Sequence, residues 1–165
     1  MGDPRFEFQE GYDVAQVCLN GHVANFFAVS QPHHNENFCS TCGERTIVQC
    51  SHCKTKIRGH YHMAGAISFL PDVPPPFCHN CGKPYPWMED RLQTAKELLD
   101  HDDKLTLEER EKLWSLLRYV MSDPKSDLAP AKKRLIEINL GKAAAATREF
   151  VVDLMAKYFA EMSKP

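Results

Sequence analysis

Four short pairs of residues in the first half of the chain have the spacing of zinc ligands. They are C-L-N-G-H (Cys18 and His22), C-S-T-C (Cys39 and Cys42), C-S-H-C (Cys50 and Cys53) and C-H-N-C (Cys78 and Cys81). The pairs use all seven cysteines and one of the eight histidines of the chain. Because a structural zinc ion takes four nitrogen or sulfur ligands in a tetrahedron, four pairs predict two zinc sites.

Glycines accompany these pairs at positions where the chain must reverse direction. Gly43 and Gly82 directly follow the second cysteine of their pairs, and Gly21 lies inside the first pair. Glycine adopts positive φ angles without the steric cost that other residues have. This pattern predicts a tight turn around each ion.

The pairs can share the two ions in three ways, and the sequence favours the sequential one. In it Cys18, His22, Cys39 and Cys42 bind one ion, and Cys50, Cys53, Cys78 and Cys81 bind the other. A cross-braced arrangement, in which the first and third pairs share an ion, usually has a shorter spacer than the seven residues between Cys42 and Cys50. A nested arrangement closes one long loop, at an entropy cost that grows slowly with loop length.

The energetics make the metal essential to this half of the chain. A structural zinc site contributes ~10–16 kcal/mol of folding free energy, whereas a whole domain is stable by only ~5–15 kcal/mol. The apolar runs between the pairs are short, and small domains seldom bury enough surface without a metal or disulfides. We therefore expect each ion to hold its part of the chain folded.

The ligand count argues against catalysis. A catalytic zinc keeps one position for water or substrate, whereas each predicted site here has four protein ligands. The sequence contains no H-E-x-x-H, phosphate-binding loop or nucleophile-elbow motif, and no thiol is marked as a redox centre. The remaining histidines, including His33, His34, His60 and His62, are interpreted as polar loop residues. We expect a non-catalytic protein.

Composition limits the class of protein further. The 165 residues carry a formal net charge of −2, so the chain lacks the overall basic excess of most nucleic-acid-binding proteins. The first residues contain no basic stretch followed by an apolar one, and no apolar stretch is long enough to span a membrane. Reduced, metal-bound cysteines are typical of the cytoplasm. We expect a cytoplasmic protein without a membrane partner.

The sequence changes character near Trp87, which predicts an α+β protein with two domains. Residues 1–86 are predicted to form a double zinc ribbon with short β-hairpins, and residues 87–165 an α-helical domain of about four helices. Strands are expected at Asn25–Val29, Thr46–Gln49 and Ile67–Leu70. The segment Tyr85–Trp87 joins the two parts.

Four helices follow from the apolar periodicity of the second half. They are predicted over Trp87–Leu99, from Thr106 to a stop at Pro124, over Pro130–Leu140 with Gly141 as the cap, and over Lys142–Met162. Thr106 and Glu109 have the spacing of a capping box.

Two kinds of macromolecular partner fit the sequence. The near-neutral charge, the aromatic junction around Phe77, Tyr85 and Trp87, and the wide apolar side of the last helix favour a protein-interaction or scaffold role. Self-association through the C-terminal helices is one form of that role. The alternative is nucleic acid, which is favoured by two basic clusters. These clusters are Arg45, Lys54, Lys56 and Arg58 in the first half and Lys132, Lys133 and Arg134 in the second.

The strings Y-D-V-A-Q-V-C-L-N-G-H, F-C-S-T-C-G, C-S-H-C and P-P-F-C-H-N-C-G-K-P-Y-P-W together resemble a bacterial family of double zinc-ribbon proteins of unknown function. The resemblance covers residues 12–87. It implies zinc at the four pairs and a bacterial cytoplasmic source, and it brings no assigned activity to the chain. The helical half adds only a generic helical tail to the resemblance.

Overall fold

The computed structural model describes residues 10–63, 73–123 and 125–162, with side chains up to residue 159. Short strands with two cysteine-rich clusters come first and four helices follow, which confirms the predicted α+β class. The chain divides into two compact units. We call them the ribbon unit (Met1–Glu89) and the helical unit (Asp90–Lys164).

The strands of the ribbon unit form two small antiparallel sheets. One sheet pairs β1 with β5, and the other has the order β3-β2-β4. The strands are β1 (Gly11–Val14), β2 (Gln16–Cys18), β3 (Val23–Asn25), β4 (Thr46–Ile47) and β5 (Arg58–His62). With two to five residues each, these strands bury few side chains. The sheets therefore position the cysteine pairs rather than build a large core.

The predicted strand Asn25–Val29 is wrong, because β3 ends at Asn25. The Asn25 side chain accepts a hydrogen bond from the Phe27 N–H at 2.8 Å, and it donates to the Gln31 carbonyl at 3.0 Å. Such Asx contacts offer the backbone an alternative to the sheet ladder and turn the chain.

Of the other two predicted strands, one is shorter than predicted. In Thr46–Gln49 only Thr46–Ile47 forms a strand, and Gln49 forms an isolated bridge with Lys56. The predicted strand Ile67–Leu70 lies outside the described residues.

Strand β5 passes very close to other backbone at Gly59. A Cβ placed there would lie 2.3 Å from the Phe26 carbonyl oxygen and 2.7 Å from the carbonyl carbon of Val14. The next residue, His60, donates its N–H to the same Phe26 carbonyl at 3.0 Å. The absence of a side chain at Gly59 therefore lets β5 reach its hydrogen-bonding partners.

The four helices are α1 (Pro86–Asp100), α2 (Leu107–Ser122), α3 (Ala129–Asn139) and α4 (Ala145–Met162). The capping box at the start of α2 is present, with Thr106 Oγ1 accepting from the Glu109 N–H and Glu109 accepting from the Thr106 N–H. None of the helices in the described ranges is long and apolar enough to cross a membrane.

Two details at the end of α3 differ from the prediction. Gly141 is not a left-handed cap, because it lies inside a 3₁₀ turn over Leu140–Lys142 and is not among the glycines with positive φ. The chain then becomes extended at Ala143, with ψ of 156°. Helix α4 consequently begins at Ala145 rather than at Lys142.

The apolar core of the helical unit is built at helical spacing. Its most buried side chains are Ala95, Leu99, Leu113, Leu117, Val120, Met121, Ile136, Leu140, Val151, Leu154, Met155 and Tyr158. The Tyr158 hydroxyl donates a hydrogen bond to the Met121 carbonyl at 2.7 Å. The core thus satisfies the polar end of its largest side chain.

A polar cluster ties the helix ends of this unit together. The Asp102 carboxylate, 3% exposed as a residue, accepts hydrogen bonds from the N–H groups of Ala144 at 2.8 Å and Lys104 at 3.1 Å. Arg110 donates from Nε to the Leu105 carbonyl at 3.0 Å and from Nη2 to the Asp102 carbonyl at 2.7 Å. These contacts satisfy backbone groups that helix ends leave without partners.

Replacing Asp102 by Asn should lower the free energy of unfolding at pH 7 by about 2 kcal/mol, since charged hydrogen bonds contribute about 1.5–3 kcal/mol each. Burial raises the pKa of Asp102, but the hydrogen bonds from Thr147, Ala144 and Lys104 outweigh it and hold the pKa below the ordinary 3.8. A lowered carboxyl pKa stabilises the fold above the unfolded-state pKa and loses that effect as the pH falls. The difference from wild type should therefore shrink below about pH 4.

Chemical denaturation of the helical transition at several pH values measures this difference. Asp103→Asn is the matched control, because Asp103 is exposed and its substitution should leave the stability within about 0.5 kcal/mol of wild type. Equal stability of the two variants at pH 7 would contradict the structural role of Asp102.

Candidate metal centres

The eight predicted ligands gather into two clusters. The Cys₃His tetrad contains Cys18, His22, Cys39 and Cys42, and the Cys₄ tetrad contains Cys50, Cys53, Cys78 and Cys81. Within each tetrad the ligand atoms all lie within 4.8 Å of one another. This grouping is that of the sequential pairing, and it differs from both the cross-braced and the nested arrangements.

The distances within the tetrads suit a tetrahedral zinc ion. Zinc–sulfur bonds of about 2.3 Å place two sulfurs of a tetrahedron about 3.8 Å apart, and a sulfur and a nitrogen about 3.5 Å apart. The sulfurs of Cys18 and Cys42 are 3.8 Å apart, as are those of Cys50 and Cys81. His22 Nδ1 lies 3.6 Å from the Cys18 sulfur. All seven cysteines are free thiols, so these donors are available to a metal.

Three of the four pairs share one backbone turn, which we call the knuckle. In each knuckle the N–H of the first cysteine donates to the carbonyl five residues later, at 2.8 Å. The N–H four residues after that cysteine donates back to the cysteine carbonyl, at 2.8–3.0 Å. The first cysteines are Cys39, Cys50 and Cys78. The turn brings both thiols to one side, which is why the C-x-x-C spacing suits one ion.

The fourth residue after the first cysteine has a left-handed backbone in all three knuckles. Its φ is 73° at Gly43 and 67° at Gly82, as the glycine pattern predicts. In the middle knuckle the position is Lys54, with φ of 62°. Lys54 is the one non-glycine residue of the described chain with positive φ. The sequence shows that C-S-H-C-K has lysine where the other two knuckles have glycine. Only the structure shows that this lysine has the same left-handed backbone as the two glycines.

The first pair forms a different turn. Gly21, with φ of 87°, donates its N–H to the Cys18 carbonyl at 2.9 Å. A Cβ at Gly21 would lie 2.9 Å from the Trp87 Cβ. Glycine is therefore required here both by the backbone angle and by the close approach of Trp87.

Several groups other than the eight ligand atoms contact the sulfurs, and the ligand spacing alone did not predict them. The His22 N–H donates to the Cys18 sulfur at 3.2 Å, and the Asn20 amide donates to the Cys42 sulfur at 3.5 Å. The Cys53 sulfur lies 3.3 Å from the Thr55 hydroxyl. Such contacts favour the thiolate form and orient the ligands. Only Asn20, inside the C-L-N-G-H string, had a position that pointed to this role.

Local hydrogen bonds lower the pKa of some of the thiols and not of others. The Lys83 N–H lowers the pKa of Cys81, but burial and the neighbouring thiols outweigh it and raise that pKa to about 11. The side chain and the N–H of Thr55 lower the pKa of Cys53 to about 5. Burial raises the pKa of Cys39, but the N–H groups of Thr41 and Cys42 outweigh it and lower that pKa to about 6. Since the thiolate is the form that binds metal, each tetrad holds one thiol that is ready to bind at neutral pH.

The histidines outside the four pairs do not join the tetrads. His33 and His34 contact each other in a short 3₁₀ turn, with ring centroids 4.1 Å apart. His60 packs on the Phe27 ring at 4.7 Å, and His62 lies 3.3 Å from the Asp13 carboxylate. His33 and His34 thus lie in a turn, as expected of polar loop residues, whereas the same interpretation is wrong for His60 and His62, which lie on strand β5.

We expect two zinc ions per chain in protein purified without chelators, and about one in a Cys53→Ser variant. Loss of one thiolate removes a ligand from a site that contributes ~10–16 kcal/mol, so the Cys₄ tetrad should lose its ion and the chain around it should unfold. Native mass spectrometry gives the stoichiometry, and amide exchange gives the local unfolding.

His52→Ala is the matched control, because His52 is exposed in the same knuckle and belongs to neither tetrad. This variant should retain two ions. Two ions in Cys53→Ser, or a wild-type protein that contains no zinc, would contradict the assignment.

Comparison with known proteins gives one match. No curated protein and no solved structure matches the chain. A family model described as "Uncharacterized protein conserved in bacteria (DUF2321)" matches residues 11–162. The match extends beyond residues 12–87 and includes the helices, which the sequence analysis took for a generic tail. The chain therefore belongs to the bacterial family DUF2321.

Proposed function

We propose that this protein is a non-catalytic zinc-binding protein that acts as a protein-interaction module. The observation that carries the proposal is the composition of the two tetrads. Each brings four protein donors within 4.8 Å of one another. A tetrahedral zinc ion bound to four protein ligands has no position left for water or substrate, so the ions act as structural supports.

Cobalt substitution tests this proposal. Co²⁺ exchanged into both sites should give the visible spectrum of tetrahedral thiolate coordination, and added azide or cyanide should leave it unchanged because no position is open. The metal-loaded Asn20→Ala variant is a suitable control, since it alters an outer contact and keeps all eight ligands. A spectral change on addition of azide would show an exchangeable position and contradict the structural role.

An exposed stripe on α3 supports a protein partner. Leu128, Ala131, Leu135 and Ile138 are all exposed, and Ile138 retains 60% of its accessible surface. Their spacing of three, four and three residues is that of the a and d positions of a coiled coil. Clustered apolar side chains on a helix surface are typical of docking sites for another helix.

The charges beside the stripe define the chemistry of the partner. Helix α3 contains Lys132, Lys133 and Arg134 against the single acid Glu137. The side with Leu135 and Ile138 is therefore bordered by net positive charge. We propose that the stripe binds an amphipathic helix whose apolar residues follow the same spacing and whose flanks are acidic.

A photo-crosslinking amino acid placed at Ile138 identifies this partner in cells. We expect crosslinks to one acidic amphipathic segment of another protein, resistant to nuclease, and their loss in a Leu135→Asp variant. Val152→Asp is the matched control, since Val152 and Leu135 are similarly exposed, at 44% and 42%. Crosslinks that persist in Leu135→Asp, or that reach only a second copy of this chain, would contradict the proposed partner.

Nucleic-acid binding, the alternative function, is supported by the ribbon unit rather than by the helical unit. Lys132 lies over the Tyr119 ring at 3.6 Å and Lys133 over the Phe159 ring at 4.9 Å, while Arg134 pairs with Glu137 at 3.1 Å. The two lysines keep their positive charge, but they cover the neighbouring rings, which are therefore less open to base stacking. The basic cluster of the ribbon unit is the one that remains for this alternative.

A further inference from the structure

The ribbon unit contains a surface groove of about 740 Å³, which does not include the helix stripe and which touches the Cys₄ tetrad only at Cys50. One wall consists of the seven consecutive residues 45–51, which include β4. Asn37 and Phe38 contribute a second wall, and Lys54 lies in the lining where the middle knuckle turns. We call this cavity the knuckle groove.

The lining of the knuckle groove is positively charged. Among the described residues of the ribbon unit, the lining contains Arg45 and Lys54 and no aspartate or glutamate. In the described part of the chain, neither Arg45 nor Lys54 forms an ion pair with a carboxylate. Lys54 Nζ donates one hydrogen bond to the Ser51 carbonyl at 2.8 Å, which leaves two of its hydrogens for a ligand. Cys50 also lines the groove, but it is a buried residue whose sulfur lies 3.8 Å from the Cys81 sulfur in the Cys₄ tetrad.

Lys54 occupies its place at a cost to stability. The equivalent residues of the other two knuckles are Gly43 and Gly82, and all three have φ between 62° and 73°. A side chain in this conformation is strained relative to glycine, because its Cβ approaches the following carbonyl oxygen. Of the three residues only Lys54 lines the groove. Backbone strain that coincides with a binding surface points to a functional requirement for the lysine side chain.

An exposed aromatic ring lines the same groove as the two cations. Phe38 is 64% exposed, which is unusual for a large apolar side chain, and it forms a bridge with Arg45 across the first knuckle. A cation next to an exposed ring is the arrangement with which proteins hold a phosphate while a base stacks on the ring. The side chains of Asn37 and Gln49 add exposed amide donors and acceptors.

An extended peptide fits the groove less well. A peptide that adds to a sheet edge needs unpaired backbone groups on that edge. Here the Thr46 N–H already donates to the Asn37 carbonyl at 3.1 Å, and the Val48 carbonyl accepts from the Ile57 N–H at 3.1 Å. The Thr46 N–H in β4 and the Val48 carbonyl just after it are therefore not open to a peptide, and recognition rests on the cations, the ring and the amides.

We infer that the knuckle groove binds single-stranded nucleic acid, with phosphate at Arg45 and Lys54 and one base stacked on Phe38. A duplex keeps its bases stacked on each other, so the exposed ring favours an unpaired base. This binding is independent of the proposed protein partner, since the groove lies in the ribbon unit and the stripe in the helical unit.

Fluorescence anisotropy of a labelled single-stranded oligonucleotide with the zinc-loaded full chain tests the inference. Lys54→Gly is the decisive variant, because it removes the cation while it relieves the backbone strain. We expect this variant to be more heat-stable than wild type and yet to bind more weakly. The slope of log Kd against log salt should fall by about 0.7, the value for one phosphate contact on a single strand.

A second variant tests the ring and a third serves as the control. Phe38→Ala should weaken binding about fivefold or more, because base stacking on an aromatic ring contributes ~1–3 kcal/mol. Lys83→Ala removes an exposed lysine of the third knuckle that does not line the groove, and its affinity should equal that of wild type.

Four outcomes would overturn the inference. The first is that the zinc-loaded chain binds no oligonucleotide, and the second is that it binds the duplex form of the same sequence more tightly than the single strand. The third is that polyglutamate displaces the labelled oligonucleotide as well as an unlabelled oligonucleotide does, and the fourth is that the Lys54→Gly variant binds with the affinity of wild type. Because Lys54→Gly should fold at least as well as wild type, a loss of binding in it cannot be attributed to unfolding.

Discussion

The ribbon unit depends on the convergence of four side-chain donors at each of two points. Its strands contain two to five residues, so the sheets by themselves bury little apolar surface. The tetrads instead join segments that are far apart in the sequence, and the knuckle hydrogen bonds bring both thiols of a pair to one side. Local backbone geometry and metal binding therefore favour the same structure.

The sequence was most informative where a local rule decides the structure. Ligand spacing predicted which residues would meet, because a C-x-x-C turn can present both thiols to one ion, and the capping box of Thr106 and Glu109 predicted the start of α2. The strand at Asn25 was predicted wrongly because a side chain hydrogen bond, rather than β-propensity, determines the turn there. Strand β5 was missed because its position depends on a backbone approach at Gly59 from a distant segment.

The contacts to the tetrad sulfurs and the knuckle groove were also hard to predict, because they depend on the folded geometry of residues that the sequence does not link. Thr55 lies two residues from a ligand, but its hydroxyl matters only once the knuckle turns it toward the Cys53 sulfur. Phe38 and Arg45 are seven residues apart in the sequence and become neighbours through the bridge across the first knuckle. Arg45, Lys54, Lys56 and Arg58 are close together in the sequence. Only the structure shows that Arg45 and Lys54 line the same groove.

The three knuckles provide an internal comparison that separates structure from function. They share the same two backbone hydrogen bonds and the same left-handed residue, so stability alone favours glycine at all three positions. Gly43 and Gly82 follow that preference, whereas Lys54, which lines the groove, does not. A structural role for Lys54 would have to compensate about 1–2 kcal/mol of backbone strain through a single exposed hydrogen bond to Ser51. Exposed hydrogen bonds seldom contribute that much, so the lysine is better explained by a ligand than by the fold.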